Sequence, residues 1–285
     1  MDPRLLAALL AVWIVWGSTY LAMRIAVEAL PPLGMAGARF LVAGAVLLGI
    51  AKLRGEAMPG LRAWLFAVPI GLLLFVAGNG AVVIAEQSIP SSLAAIVCAT
   101  TPLIATGLEA ARGNRPKAAE LAGMVLGFGG VVLLATRSPL AHAGFRGAII
   151  LLAPIGWALG SLLARAQGGG FGNAAAQMTS GGVAMLVLSM VLREKMPDVV
   201  PWPSVGAWAY LVVLGSLVGF SAYSWLLKNA RPPVAMSYAY VNPIVATLLG
   251  ASLGGETLGW PVVISTALIA SGVMFVVVLR RPGDR

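Results

Sequence analysis

Residues 5–26 read LLAALLAVWIVWGSTYLAMRIA, and residues 146–167 read RGAIILLAPIGWALGSLLARAQ. From Leu5 to Met23 the first stretch carries no charged residue. A helix needs roughly 20 apolar residues to cross the hydrocarbon core of a bilayer. The run is too long for the apolar part of a cleaved signal peptide, about 7–15 residues, and no small-residue cleavage site follows it. It is therefore read as a permanent membrane span. The second stretch repeats the first at an offset of 141 residues, setting Trp157 on Trp16 and Arg165 on Arg24.

Working outward, apolar runs separated by Pro, Gly and charged residues predict ten helices, over residues 5–26, 33–51, 64–85, 91–111, 118–136, 147–165, 172–192, 205–227, 233–253 and 260–279. The runs lack the period-2 alternation of a membrane β-barrel. Of the 285 residues, 59% are hydrophobic and 10% charged, against about 25% charged in a soluble domain. Ten spans use about 200 residues, which leaves short connections and no room for a separate soluble domain. This excludes a soluble enzyme, a disordered regulator and a secreted disulfide scaffold. The net charge of +9 is not a nucleic-acid footprint, because Arg280-Arg281 is the only adjacent basic pair. Cys98, the sole cysteine, has no intrachain disulfide partner.

Basic residues set the expected orientation. With the N-terminus inside, thirteen fall on the inner side (Arg4, Lys52, Arg54, Arg62, Arg112, Arg115, Lys117, Arg165, Lys228, Arg231, Arg280, Arg281 and Arg285). Six fall on the outer side: Arg24, Arg39, Arg137, Arg146, Arg193 and Lys195. Both termini are expected in the cytoplasm.

The 141-residue offset also aligns Gly78 with Gly219, Pro102 with Pro243 and Thr106 with Thr247. Two units follow, 1–137 and 146–285, of five spans each. An odd number of spans inserts the second copy upside down relative to the first. Inverted repeats of this kind enclose a binding site at their midplane interface in many secondary transporters. The fold class expected is an all-α membrane protein of ten transmembrane helices in two inverted five-helix repeats.

At Trp16-Gly17-Ser18-Thr19-Tyr20, Ala38-Arg39-Phe40, Pro102, Asn242-Pro243 and Gly255-Glu256 the sequence resembles the drug/metabolite transporter superfamily, specifically the EamA-type permeases. It departs from them at Gly113-Asn114-Arg115-Pro116, where a Glu often follows the fourth span. The resemblance implies a small-metabolite exporter of a bacterial inner membrane. Amino acids, aromatic ones included, and toxic organic compounds are the usual cargo, and no cofactor is implied. Its partners would be a small-molecule substrate and the lipid bilayer.

Polar side chains at mid-depth are costly unless they face a cavity or one another. On that ground Tyr20, Asn79, Cys98 and Thr101 in the first half, and Ser161, Ser221, Tyr223, Tyr238 and Asn242 in the second, are candidate substrate contacts. Interhelical bonding is the alternative for the small hydroxyls. Trp16 and Trp157, well inside their spans, offer flat walls and a ring N–H to an amphipathic cargo or its ammonium group. Pro102 and Pro243, matched by the repeat, are candidate hinges. Arg24, Glu28, Arg39 and Glu86 map near the outer helix ends, where long side chains reach water. No carboxylate falls at the predicted centre, which favours facilitated export and leaves Glu86 as the best-placed proton carrier. Gly123, Gly127 and Gly130 form a small-residue stripe for a close neighbour, another span or a second protomer.

Two rival classes lack support. His142, the only histidine, falls in a connection, and Asp2, Asp198 and Asp284 do not cluster, so neither nucleophilic nor metal-assisted catalysis finds a site. Asn242-Pro243 resembles half of a water-channel signature, but its repeat mate is Thr101-Pro102. The sequence supplies no catalytic or metal-binding residues. Export is the function expected, with an organic-cation exporter as the alternative and a channel behind it.

Overall fold

A computed structural model describes residues 3–113, 118–230 and 237–278. Ten helices make it up: α1 (Pro3–Val27), α2 (Pro32–Leu53), α3 (Leu61–Ala85), α4 (Ser91–Cys98 and Thr101–Ala111), α5 (Ala118–Arg137), α6 (Gly144–Gln167), α7 (Phe171–Val191), α8 (residues 202–229), α9 (Tyr238–Ser252) and α10 (Trp260–Val278). Seven have spans long and apolar enough to cross a membrane, and shorter apolar stretches lie in α5, α9 and α10. Outward-facing side chains such as Val125, Val132 and Leu248 are exposed, as a lipid-facing surface requires. Of the basic residues counted for orientation, Arg115, Lys117, Arg231, Arg280, Arg281 and Arg285 lie outside the described residues, as does the side chain of Lys228.

Prolines start several helices. Extended Pro31, Pro90 and Pro201 each precede a helix, and Pro32 and Pro203 occupy first-turn positions where no N–H is needed. The tight connection from α6 to α7 is turned by Gly168 (φ 87°) and Gly170 (φ 139°), conformations that a side chain would strain.

Hydrogen bonds sort the connections onto two faces. On the proximal face, where α1 begins, Glu56 accepts from the Phe171 N–H (3.0 Å) and Gln167 donates to the Ala63 carbonyl (2.7 Å). On the distal face Glu194 accepts from the N–H groups of Leu33 and Gly34, and Ser204 donates to the Ile25 carbonyl.

The two halves meet along two seams of repeat-related helices, α2 against α7 and α5 against α10. Glycines permit the approach. A Cβ on Gly182 would stand 2.9 Å from the Gly37 carbonyl, and one on Gly272 would stand 2.5 Å from the Gly123 carbonyl. The close neighbour of the Gly123–Gly127–Gly130 stripe is thus another span, α10. The remaining helices surround the interior between the seams.

Three stretches carry π-helical turns: Ala11–Trp16 in α1, Leu72–Gly80 in α3 and Leu211–Val218 in α8. The last two occupy matching places in the repeat. Such turns widen the helix locally and are frequent beside functional sites. The two prolines expected as hinges differ in setting. The helix of α4 is interrupted at Ala99–Thr100 just before Pro102, whereas α9 runs on through Pro243.

Candidate functional site

Two adjacent spaces lie between the halves. The inner one, about 90 Å3, has walls that include Trp16, Tyr20, Asn79, Cys98, Thr101, Tyr238 and Asn242. The outer one, about 250 Å3, runs past Ser161 and Tyr223 to Arg165, Gly168 and Gly169, which are exposed at the proximal face. Trp157 and Phe220 line both spaces. Ten of the eleven expected contact residues therefore lie on the walls of these two spaces. Ser221 lines neither space; it follows Phe220 on the helix, and one step of about 100° turns it off the wall.

The cavity is walled by aromatic rings. Trp16 makes edge contacts with Trp157 (5.9 Å between ring centres) and Tyr238 (5.2 Å), and lies 5.0 Å from Tyr223. Phe220 sits 6.0 Å from Trp16 and 6.3 Å from Trp157. At these separations the rings pack edge to face against one another as a single cluster, which presents an apolar wall to the space beside it.

Glycine makes the two tryptophans fit. Trp16 packs on Gly219, whose missing side chain leaves room for the indole, and Trp157 lies against Gly78. The offset of 141 residues converts one pair into the other. The repeat thus places equivalent residues in equivalent contacts across the molecule. The tryptophans differ in polar bonding, however. Trp16 Nε1 donates to the Gly215 carbonyl at 3.1 Å. Trp157 Nε1 is buried with no hydrogen-bond partner; the Tyr238 hydroxyl is near it but outside hydrogen-bond geometry.

Other polar groups are partly spent on the backbone. Asn79 donates to the Leu74 carbonyl, five residues back in the π turn (3.3 Å), and Thr101 donates to the Cys98 carbonyl (2.7 Å). Asn242, its amide oriented so that nitrogen meets acceptors, donates to the carbonyls of Trp13 (3.2 Å) and Tyr238 (3.3 Å). These bonds satisfy groups that the irregular turns and the break in α4 leave exposed. The side-chain oxygen of Asn79 and the aromatic faces remain for an occupant.

Arg39 and Glu86 correct the expectation that outer charges reach water: Arg39 is 5% exposed and Glu86 2%. Each sits on the inward side of its helix. Arg39 lines the cavity, donates from Nε to Ser216 Oγ at 2.8 Å and stacks over Phe40. Glu86 lies one turn beyond Val82, a wall residue, and neither of its oxygens has a hydrogen-bond partner. Arg24, beside it, donates instead to the Ile89 carbonyl (2.7 Å).

The cavity is closed toward the distal face. Met23, Val27, Leu33 and Ile89 are buried there. Above them Glu256 fastens the start of α4, accepting from the N–H and hydroxyl of Ser91 (2.6 and 2.7 Å) and of Ser92 (3.1 and 2.5 Å). Burial alone would raise the Glu256 carboxyl, but the bonds from Ser92 and Ser91 outweigh it and hold it below its ordinary range.

Sequence reading missed Arg39 and Phe220. Phe220, not Ser221, is the residue that the 141-residue offset sets on Asn79. For Arg39 no pattern in the residues distinguished an inward guanidinium from one reaching the surface.

Comparison with known proteins gives consistent results. The EamA-like transporter family matches at residues 4–136 and 147–278. The inner membrane transporter YedA of Escherichia coli K12 is 42% identical over 257 residues, 89% of this chain and 84% of that protein. Protein PecM of Dickeya dadantii is 30% identical over 276 residues, 90% and 88% of the respective chains. A protein of known crystal structure shares the fold at a TM-score of 0.66 and 18% identity, covering 98% of both chains.

Proposed function

The chain belongs to the EamA-like transporter family, and from that premise we propose that it exports small amphipathic metabolites, amino acids including aromatic ones, across the inner membrane by alternating access. The observation that carries this reading is the aromatic-walled space between the two halves, covered by buried side chains on the distal side and adjoined on the proximal side by a second space that reaches exposed residues. With the proximal face cytoplasmic, as the basic residues predict, cargo enters past Arg165 and 168–170 and settles among Trp16, Trp157, Phe220 and Tyr238. Rocking of one half against the other along the seams then opens the distal end and closes the proximal one. The interruption at Ala99–Thr100 before Pro102 and the π turns of α3 and α8 are where the lining helices bend, and Pro243 serves as the matching pivot of α9. The alternative cargo, an organic cation, draws on the same tryptophan faces.

The test uses the purified protein in liposomes with labelled L-phenylalanine, L-tryptophan and organic cations. Saturable uptake accelerated by unlabelled substrate on the opposite side is expected of a carrier; flux that neither saturates nor shows counterflow would indicate a pore and overturn the reading. Trp157→Ala and Asn79→Ala should each lower uptake about tenfold with insertion and folding intact. Normal uptake by both would remove the cavity from the transport path.

A further inference from the structure

The charges on the cavity wall discriminate between cargoes. From the proximal mouth inward, the two spaces are lined by Arg165 and Arg39, and neither lining contains an Asp or Glu. Arg39 is 5% exposed and, among the described residues, its contacts are the Ser216 hydroxyl, the Phe40 ring and the close approach of Gly215. None of these is a carboxylate. The bond from Nε to Ser216 fixes the plane of the guanidinium. Gly215 lacks a side chain at the point where a Cβ would stand 2.9 Å from Nη2. The two terminal amino groups are thereby left as a preset pair of donors. A second donor is also unspent: Trp157 Nε1, buried in the same wall, has no hydrogen-bond partner.

A buried cation is retained at a cost unless something neutralises it during the working cycle. Guanidinium binds carboxylate through two parallel N–H···O bonds, a match of shape as well as charge. An ammonium meets two like charges on these linings, and the nearest buried carboxylate, Glu86, stands one turn behind the wall at Val82 and not on it. Building on the transport reading above, we infer that Arg39 is the anchor for the carboxylate of the cargo. The protein then carries organic acids with an apolar or aromatic body, amino acids among them, and discriminates against the corresponding amines. The carboxylate pairs with the terminal nitrogens of Arg39, and the body lies against the cavity-facing side of the Trp16, Trp157 and Phe220 cluster. Arg165 at the mouth raises the local concentration of anions.

Matched probes test this: L-phenylalanine, 3-phenylpropionate and phenethylamine, with L-tryptophan, indole-3-propionate and tryptamine as a second set. Binding is read on purified full-length protein in detergent by isothermal titration calorimetry, and flux on the same protein in liposomes. The acids of each set should bind at least about tenfold more tightly than the amine. Arg39→Gln should abolish that preference, and Arg39→Lys, which keeps the charge but loses the paired geometry, should retain part of it. The melting temperature in detergent identifies variants that fold. Equal binding of acid and amine, no binding of either, or an acid preference surviving in folded Arg39→Gln overturns the assignment. Should Arg39→Gln not fold, acid preference in wild type with partial loss in Arg39→Lys supports it, and an Arg39→Lys indistinguishable from wild type overturns it. Transport of the amines with exclusion of the acids refutes the anchor while leaving a transporter; acid-selective binding without any flux keeps the anchor and refutes transport.

Discussion

A methyl group is enough to probe the tryptophan pair. At Gly219 an added Cβ overlaps the Trp16 indole, while at Gly78 it meets Trp157 at 3.4 Å, an ordinary contact. Overpacking typically costs about 1–3 kcal/mol. Gly219→Ala should therefore displace Trp16 from its bond to Gly215 and cut uptake about tenfold. Gly78→Ala should stay within about twofold of wild type; equal effects of the two would show that the rings do not set the cavity. Glu86 invites a second measurement. It stands one turn outside the cavity wall, and no carboxylate lines the path. Uptake should thus be insensitive to an imposed pH gradient in both wild type and Glu86→Gln. A gradient dependence that disappears in Glu86→Gln would make this residue a proton carrier. The tryptophans were legible in the sequence because the repeat matched them at a depth where an anchor has no use. The burial of Arg39 was not, since side-chain length lets an arginine near a helix end turn either way.

At the scale of elements, the fastening between Glu256 and the first turn of α4 is the most exposed to test. A carboxylate at a helix N-terminus meets unpaired N–H groups and the positive end of the helix dipole. Glu256→Gln removes the charge from all four bonds. The distal end should then open more often, and Cys98, the sole cysteine and a wall residue, reports it. An impermeant thiol reagent supplied at the distal face should label Cys98 about tenfold faster in Glu256→Gln than in wild type. Unchanged labelling would mean that the fastening does not hold the end shut. The pH dependence has a definite sign. The Glu256 carboxyl lies below its ordinary value of 4.5 in the folded protein, so its stabilisation is complete above that value and is lost as pH falls through the lowered one. Glu86 and Arg24, the charged groups nearby, oppose each other across this region. The ratio of the Glu256→Gln labelling rate to the wild-type rate at the same pH, which cancels the ionisation of the thiol itself, should stay flat from neutral down to about pH 5 and fall toward one only in stronger acid. Helix number and most helix ends could be read from apolar runs and prolines. The π turns could not, because they depend on side chains such as Asn79 capturing a carbonyl five residues back, a choice that packing makes.

For the whole molecule, stability rests on the two seams. Gly272→Ala drives a methyl against the backbone of α5, and a loss of about 1–3 kcal/mol is expected, read as a lower unfolding midpoint in detergent. A midpoint equal to wild type would mean that α5 and α10 are free to separate. The duplicated architecture was the most legible feature, since equal spacing of Trp16 and Trp157, and of Gly78 and Gly219, survives in one chain. What the repeat does not preserve is the fastening at Glu256. Its counterpart positions hold Arg115 in place of the carboxylate and Pro232 and Pro233 in place of the two serines. A proline has no N–H, and an arginine has nothing to accept with. The repeat-related positions thus encode no such carboxylate-to-serine fastening. In the proposed cycle the Glu256 fastening biases the empty carrier toward the proximally open state, like a door sprung to rest on one side.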